Sequence, residues 1–267
     1  MAPNPSDIDN EAYNLSNRFE EVKDPLLYLQ KHDALCKEAW EWSETDKSYD
    51  ASLHGDDNKA AVTFHPFWSN GTAGIRANRP LVGDINYWEI HIGDRIFGTS
   101  LMFGVTTQKA RLQANDFKNM IGEDIHGWGL SHRGRTHHNG MSSFFCRSFP
   151  EHTPTIVGIL LDRRRGDMSF YKDGVCLGQE KERERASPFQ GLDRVESDLY
   201  PTICSTAAKS AMMVGTRYRS FLNLQDRCRH VVAGSVLAGC EFKGDRVVRA
   251  QELPVPRKMK DYITMVL

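Results

Sequence analysis

Between residues 46 and 218 the chain alternates short runs of β-branched and aromatic residues with turn-forming dipeptides, and few folds accept this pattern. One dipeptide, Asp173-Gly174, predicts a two-residue hairpin because a type I′ turn requires a positive φ at both central positions. Many short strands with little helix between them predict a mainly β fold, an antiparallel β-sandwich. The runs begin at Val62, Tyr87, Leu101, Ile156 and Met168, and the other turn signals are Asn70-Gly71, Gly83-Asp84, Asn139-Gly140 and Gly166-Asp167.

Residues 1–45, before this region, have helical rather than strand spacing. Asp24 and Pro25 are residue types preferred at the N-cap and first position of a helix. We therefore expect a short N-terminal helical extension that packs on the main body. Its apolar stripe consists of Leu26, Leu29, Leu35 and Ala39.

Helical spacing returns in residues 219–267. Leu224, Cys228 and Val232 recur every fourth residue with Val231 beside them, which predicts one apolar helix face. The segment Leu253-Pro-Val-Pro256 cannot form a regular helix because it contains two prolines. A second short helix is predicted after it, from the apolar spacing of Met259, Tyr262, Ile263 and Val266.

The charge balance excludes several classes of function. The chain has 34 Lys and Arg residues against 35 Asp and Glu residues, a net charge of −1, whereas sequence-independent nucleic-acid binding requires a basic excess. No apolar run approaches the roughly 18–20 residues of a membrane span. Because Met1 to Asn10 is polar, without the layout of a secretory signal, we expect a protein of the cytoplasm, the nucleus or both.

No pattern of reactive residues indicates catalysis or metal binding. The six cysteines are scattered without a CxxC pair, so all except Cys228 are expected to be small buried apolar residues. The motifs GxSxG, HExxH, GxxxxGK[ST] and GxGxxG are not found. We interpret His137-His138 as an exposed turn and the Asp162–Arg165 run as a charged hairpin tip, and we expect no enzyme activity, cofactor or metal.

Five segments in the β-rich region resemble the successive landmarks of a SPRY domain, and the C-terminal pattern resembles a SOCS box. In the SOCS box, Leu224-xxx-Cys228 is followed by Leu253-Pro-Val-Pro256. Together these motifs cover residues 46–267 and resemble the SPRY domain-containing SOCS box protein family, with a SPRY domain at 46–218 and a SOCS box at 219–267. The SPRY segments are Tyr87-Trp-Glu-Ile, Gly98-Thr-Ser-Leu-Met-Phe-Gly-Val, Trp128-Gly-Leu-Ser, Leu161-Asp with Gly166-Asp-Met-Ser-Phe-Tyr-Lys-Asp-Gly, and Leu199-Tyr-Pro-Thr-Ile.

This resemblance implies the substrate-recognition subunit of an elongin B/C–cullin-5 RING ubiquitin ligase, which promotes ubiquitination and proteasomal degradation without a catalytic site of its own. By resemblance, elongin C binding is assigned to Leu224, Cys228, Val231 and Val232. Binding of cullin-5, with its RING protein, is assigned to Leu253, Pro254, Val255 and Pro256.

The resemblance also implies that loops at one end of the sandwich bind a short Asn-containing peptide of the target protein. Backbone groups at Gly98 and Ala207 would pair with Asn side chains, and Phe117 would supply an aromatic wall. For Trp68 and Phe117 the sequence leaves two roles open, ligand binding and core packing. The implied surface consists of Pro66, Phe67, Trp68, Gly98, Thr99, Phe117, Thr206, Ala207 and Ala208.

Two alternatives stay open at this point. Residues 219–267 could serve only to pack against the sandwich, which would leave a SPRY protein-interaction scaffold without ligase recruitment. An enzyme is the third possibility, and a convergent cluster of titratable side chains would indicate it.

Overall fold

The computed structural model describes residues 36–54, 60–178, 187–220 and 251–264, together with Cys228, Val232 and Val248. The chain divides into two compact units, Met1–Arg219 and Ser220–Leu267. In the first unit the described strands are, in chain order, β1 (Cys36–Lys37), β2 (Trp42–Lys47), β3 (Ala51–His54), β4 (Ala61–Phe64), β5 (Thr72–Ala77), β6 (Ile85–Ile92), β7 (Leu101–Thr106), β8 (Gln113–Ala114), β9 (Gly127–Ser131), β10 (Arg135–His138), β11 (Met141–Phe144), β12 (Thr155–Asp162), β13 (Asp167–Lys172), β14 (Val175–Cys176), β15 (Tyr200–Ser205) and β16 (Ser210–Arg219).

These strands form two eight-stranded antiparallel sheets, so the predicted mainly β sandwich is confirmed. The first sheet has the order β14-β13-β12-β6-β16-β4-β3, with β1 paired to β16. The second has the order β11-β10-β9-β7-β15-β5-β2, with β8 paired to β5. A 3₁₀ turn at Leu192–Arg194 precedes β15.

The core lies between the two sheets because alternate residues of each strand point inward. Trp88 and Ile90 of β6, Phe103 of β7, Ile159 of β12 and Phe170 of β13 are all buried in one apolar cluster. Each such side chain contributes about 1.5–3 kcal/mol on burial. The sandwich is therefore a rigid base from which connecting loops project.

The predicted hairpins are present. Asp173 and Gly174 have φ values of 50° and 80°, as a type I′ turn requires. The Asp162–Arg165 run is a hairpin tip between β12 and β13, and the Asp162 carboxylate accepts the backbone N–H of Arg164 at 2.9 Å. The interpretation of this run as a tip is confirmed.

Two local predictions are wrong. Residues 36–45, expected to belong to a helical extension, contain β1 and the start of β2, because Trp40 and Trp42 are buried in the core with their rings 5.6 Å apart. His137-His138 is part of β10 and not a turn, since His138 stacks on Trp128 with ring centroids 4.6 Å apart. The turn is the next dipeptide, Asn139-Gly140. The rest of the expected helical extension lies outside the described residues.

Four cysteines, namely Cys36, Cys146, Cys176 and Cys204, are buried, as predicted. Burial raises the pKa of Cys176 and of Cys204 to about 12, so both stay protonated at neutral pH. Cys240 lies outside the described residues.

In the second unit, helix α1 (Arg257–Thr264) begins directly after Pro256, and the predicted short C-terminal helix is confirmed. Ile263 is buried and Met259 is exposed. Among the described residues no helix has the length and apolar character that crossing a membrane requires.

Candidate protein-binding surface

Four connections meet at one end of the sandwich. Residues 65–71 join β4 to β5, residues 93–100 join β6 to β7, residues 115–126 join β8 to β9, and residues 206–209 join β15 to β16. Three of these connections pass from one sheet to the other. The loops implied by the family resemblance are therefore neighbours, fixed by strands that are distant in sequence.

Thr206 connects two of the loops through a pair of hydrogen bonds. Its hydroxyl accepts the backbone N–H of Ser100 at 2.9 Å and donates to the Ser100 carbonyl at 3.0 Å. The Thr206 backbone N–H also donates to that carbonyl, at 2.9 Å. Because Thr206 is buried, it supports the surface from below and does not present its side chain to a ligand.

Gly98 lies against the 206–209 loop in a backbone conformation that favours glycine, with φ of 93°. A Cβ at this position would be 3.3 Å from Thr206 Oγ1 and 3.6 Å from the Ala207 Cβ. Its carbonyl accepts a hydrogen bond from the Arg133 guanidinium at 2.8 Å. A side chain at this position would be strained by the positive φ and would come into tight contact with Thr206.

Two side chains hold the remaining loops in place. The Thr72 hydroxyl donates to the Asp116 carbonyl at 2.8 Å and accepts the Lys118 N–H at 3.1 Å. His65, fully buried, donates from Nε2 to the Ser205 carbonyl at 3.1 Å. These hydrogen bonds fix the backbone next to residues 66–68 and next to Phe117.

The exposed part of this surface is aromatic. Phe67 is 78% exposed and Trp68 is 69% exposed, with their rings 6.1 Å apart, and Phe117 is 53% exposed. Of the two roles left open for Trp68 and Phe117, core packing is therefore ruled out by their exposure. Exposed aromatic side chains on anchored loops are typical of a protein-recognition surface.

The remaining residues of the implied surface divide into exposed and buried positions. Thr99 is exposed, while Pro66, Gly98 and Ala208 are half-buried. Ala207 is buried, and its N–H donates to the Ser205 hydroxyl at 3.0 Å. Of the Ala207 backbone groups expected to pair with an Asn side chain, the N–H is therefore already bonded, and the carbonyl accepts the Ser210 N–H at 3.4 Å.

Sequence reasoning did not identify two arginines at this end. Arg95 donates from Nε to the Ala208 carbonyl at 2.9 Å, and its guanidinium carbon lies 4.9 Å from the centroid of the Phe97 ring. Arg133 is exposed and bonds to Gly98. No motif marks these residues, since their partners are backbone carbonyls more than thirty positions away.

The electrostatics near Phe117 are set by Lys118. Its ammonium lies 2.9 Å from the Asp116 carboxylate, and this hydrogen bond lowers the pKa of Asp116 below its ordinary value. Arg111, which precedes β8, pairs with Glu123 of this loop. Two of the loop's carboxylates, Asp116 and Glu123, are thus each paired with a basic side chain.

The residues assigned to elongin and cullin lie in the second unit. Cys228 is helical and exposed, and Val232 is helical and half-buried. Leu224 and Val231 lie outside the described residues.

The Leu253–Pro256 segment is bent and non-helical. Pro254 and Pro256 are exposed, and Leu253 and Val255 are half-buried. The Val255 N–H donates to the Leu253 carbonyl at 2.8 Å. The expectation of a non-helical segment is confirmed. The segment is a tight turn, which this hydrogen bond closes.

In the parts of the chain that the structure describes, no group of three His, Cys, Asp or Glu side chains is arranged to hold a metal ion.

The chain is similar to known proteins over most of its length. Residues 85–217 match the family model of the SPRY domain. SPRY domain-containing SOCS box protein 3 of Xenopus tropicalis is 36% identical over 177 residues, which cover 66% of this chain and 45% of that protein. The Xenopus laevis protein of the same name is 34% identical over 203 residues, with coverage of 74% and 52%.

The chain therefore belongs to the SPRY domain-containing proteins. Within this class, its resemblance to the SPRY domain-containing SOCS box protein family is confirmed by relatives that bear that name. The chain spans about half the length of these two relatives. Among solved structures, the SPRY domain of human HERC1 aligns with a TM-score of 0.47 and 17% identity, covering 66% of this chain and 97% of that one.

Proposed function

We propose that this chain is the substrate-recognition subunit of an elongin B/C–cullin-5 RING ubiquitin ligase. In this proposal the SPRY loops bind a short Asn-containing segment of a target protein, and residues 219–267 recruit elongin C and cullin-5. The outcome is ubiquitination and proteasomal degradation of the target, in the cytoplasm, the nucleus or both.

One observation carries the proposal: a sandwich with exposed loop aromatics is followed, in a separate unit, by an exposed helical Cys228 and the bent Leu253–Pro256 turn. Relatives at 34–36% identity are named for both a SPRY domain and a SOCS box. An anchor at Leu224 with a small apolar residue one turn later suits a helix that docks in an apolar groove.

The proposed mechanism is proximity and not catalysis. A bound target is held near a charged ubiquitin-conjugating enzyme, so the effective concentration of its lysines rises. The transfer chemistry belongs to the other subunits, and this chain contributes binding and orientation.

The first test is co-expression of the chain with elongins B and C, followed by size-exclusion chromatography. We expect a 1:1:1 complex, which Leu224→Asp with Cys228→Asp abolishes, because a charge cannot enter an apolar groove without a partner. Val248→Asp is the matched control, since Val248 is an exposed helical residue of the same unit.

A well-behaved monomer that does not bind the elongins would contradict ligase recruitment and favour the SPRY scaffold. Unchanged elongin affinity of the folded double variant would place the contact elsewhere. Peptide binding by the SPRY loops is measured separately, so the two halves of the proposal fail or succeed independently.

A further inference from the structure

Strand β11 is the edge of the second sheet, and all four of its residues are exposed. The other edge strands at the ends of the two sheet orders, among those described, are more protected. Strand β14 has two residues, β3 is partly buried, and β2 pairs irregularly and carries charges. The sequence of β11 is Met-Ser-Ser-Phe, without a charged residue or proline. Natural edge strands normally contain such residues because they prevent pairing with another chain.

The register of the β10–β11 hairpin shows which backbone groups of β11 point outward. Asn139 and Gly140 form the two-residue turn, so the flanking pair His138 and Met141 is hydrogen-bonded. Because bonded and non-bonded pairs alternate, the N–H and C=O groups of Ser142 and Phe144 point away from β10. These groups can form a ladder with an added strand.

The side chains beside this edge are apolar and basic. Phe144 is 60% exposed and lies directly across from Arg135, on the same face of the sheet. Met141 is 70% exposed on the opposite face. An added strand would therefore meet one large apolar side chain on each face.

Arg135 forms a hydrogen bond with the Ser142 carbonyl, one of the outward-pointing groups of β11. Its guanidinium donates to the Ser142 carbonyl at 3.2 Å and to the Ser142 hydroxyl at 3.0 Å. Arg133, on the preceding turn, donates to the Gly98 carbonyl. Both guanidiniums thus bond to neutral oxygens, and their charge attracts a carboxylate at this edge.

We propose that β11 is a second docking site, which binds an extended acidic segment of a partner protein by strand addition. The segment pairs with the outward groups of Ser142 and Phe144. Its carboxylate lies opposite Ser142 and pairs with the Arg135 guanidinium. The guanidinium then no longer bonds to the Ser142 carbonyl, which is left for the added strand. An apolar side chain two residues away packs on Phe144, since alternate residues of a strand share a face.

This site is independent of the proposed ligase function, because β11 and Arg135 belong to neither the loop surface nor the second unit. It would hold a partner on the sandwich while the loops bind another segment. Two weak contacts on one rigid body increase the overall affinity through effective concentration.

The test uses the full chain and a fluorescein-labelled peptide, Ser-Thr-Val-Thr-Glu-Thr-Phe-Thr-Ser, in a fluorescence anisotropy titration. We expect saturable binding that is about fivefold weaker when Gln replaces the Glu of the peptide. Arg135→Glu should weaken binding of the acidic peptide by a similar or larger factor. Arg194→Glu is the control, since Arg194 lies on the 3₁₀ turn before β15, is highly exposed and undergoes the same charge change.

The backbone contact is tested at Ser142. Ser142→Pro removes an outward N–H that the fold does not use, so the sandwich should stay folded while peptide binding is lost. Ser142→Val retains the N–H and should still bind. Hydrogen exchange on the unmodified chain gives a second measurement: saturating peptide should slow exchange of the Ser142 and Phe144 amides.

Four results would overturn the proposal. One is equal binding of the Glu and Gln peptides, and another is unchanged exchange at both amides. The third is a concentration-dependent dimer in analytical ultracentrifugation that Ser142→Pro abolishes, which would assign the edge to a second copy of this chain. The fourth is loss of peptide binding in the double variant Phe67→Ser with Trp68→Ser while Ser142→Pro still binds. That result would assign the peptide to the loop surface instead of β11.

Discussion

His132 joins two parts of the second sheet through a ring nitrogen. The backbone N–H of Leu101 donates to its Nδ1 at 3.1 Å, and the His132 N–H donates to the Leu101 carbonyl at 2.8 Å. Burial lowers the pKa of His132 below 6.5, so the ring is neutral in the folded protein at neutral pH. Protonation of Nδ1 would place two donors face to face and break the contact.

The pH dependence of stability follows from this lowered pKa. Because the unfolded chain binds the proton more tightly, the stability that His132 confers is complete above about pH 6.5 and is lost as the pH falls through that value. Asparagine can replace this contact, because its amide oxygen can accept the Leu101 N–H. When the pH is lowered from about 7.5 to about 5.5, we expect the free energy of unfolding of His132→Asn to fall by about 1 kcal/mol less than that of the original chain.

Urea unfolding at the two pH values measures this difference. His152→Asn is the control, because His152 is exposed and asparagine tolerates its positive φ. An identical loss of stability in the original chain and in His132→Asn would contradict the role assigned to this ring. His137 also has a pKa lowered by burial, so part of the pH dependence remains in the variant.

Buried side chains hold the loops of the sandwich in place, and other side chains of the same loops project into solvent. Thr206 and Thr72 hold the loops by hydrogen bonds, whereas Phe67, Trp68 and Phe117 project into solvent. Stability and the proposed recognition therefore depend on different side chains of the same loops. Substitutions can separate the two properties.

We expect Phe67→Ser with Trp68→Ser to change the free energy of unfolding by no more than about 0.5 kcal/mol, since both side chains are mostly exposed. The same change should weaken capture of Asn-containing peptides from an array by at least about tenfold, because exposed aromatics dominate binding at protein interfaces. Tyr49→Ser, which removes another highly exposed aromatic ring, should leave capture intact. Unchanged capture by the double variant would remove these two residues from the binding surface.

The whole molecule has a sandwich unit and a C-terminal unit, and the two carry different proposed contacts. Leu253→Ala with Pro254→Ala opens the turn that the Val255 N–H closes on the Leu253 carbonyl. We expect this variant to keep its elongin affinity and to bind cullin-5 about tenfold more weakly, because a preorganised segment pays less entropy on docking.

Biolayer interferometry of the elongin-bound complex against cullin-5 measures this effect. Lys258→Ala is the control, because Lys258 is an exposed residue of the adjoining helix. Equal cullin affinity of the double variant and the original chain would show that the turn is not the contact. A parallel loss of elongin binding would show that the segment supports the whole unit.

The architecture can be predicted from the amino-acid sequence wherever it depends on residues that are close together in the chain. The turn at Asp173-Gly174 and the tip at Asp162–Arg165 need only their own residues, because turn geometry depends on local φ and on nearby side-chain acceptors. The β-rich runs likewise predicted the sandwich, and the apolar spacing after Pro256 predicted α1. The physical cause of the turn, of the tip and of each strand's β character lies within a few residues, whereas the pairing of the strands depends on residues far apart in the chain.

The tertiary structure decided everything that depends on distant contacts. Trp42 forms part of a strand because the core between the sheets is the space that accepts its ring, although the preceding residues have helical spacing. Phe117 and Trp68 are exposed because the loops that carry them are held by Thr72 and by His65, whose partners are far along the chain. The open edge of β11 is a property of the strand order, since among the described strands only β10 pairs with Met-Ser-Ser-Phe.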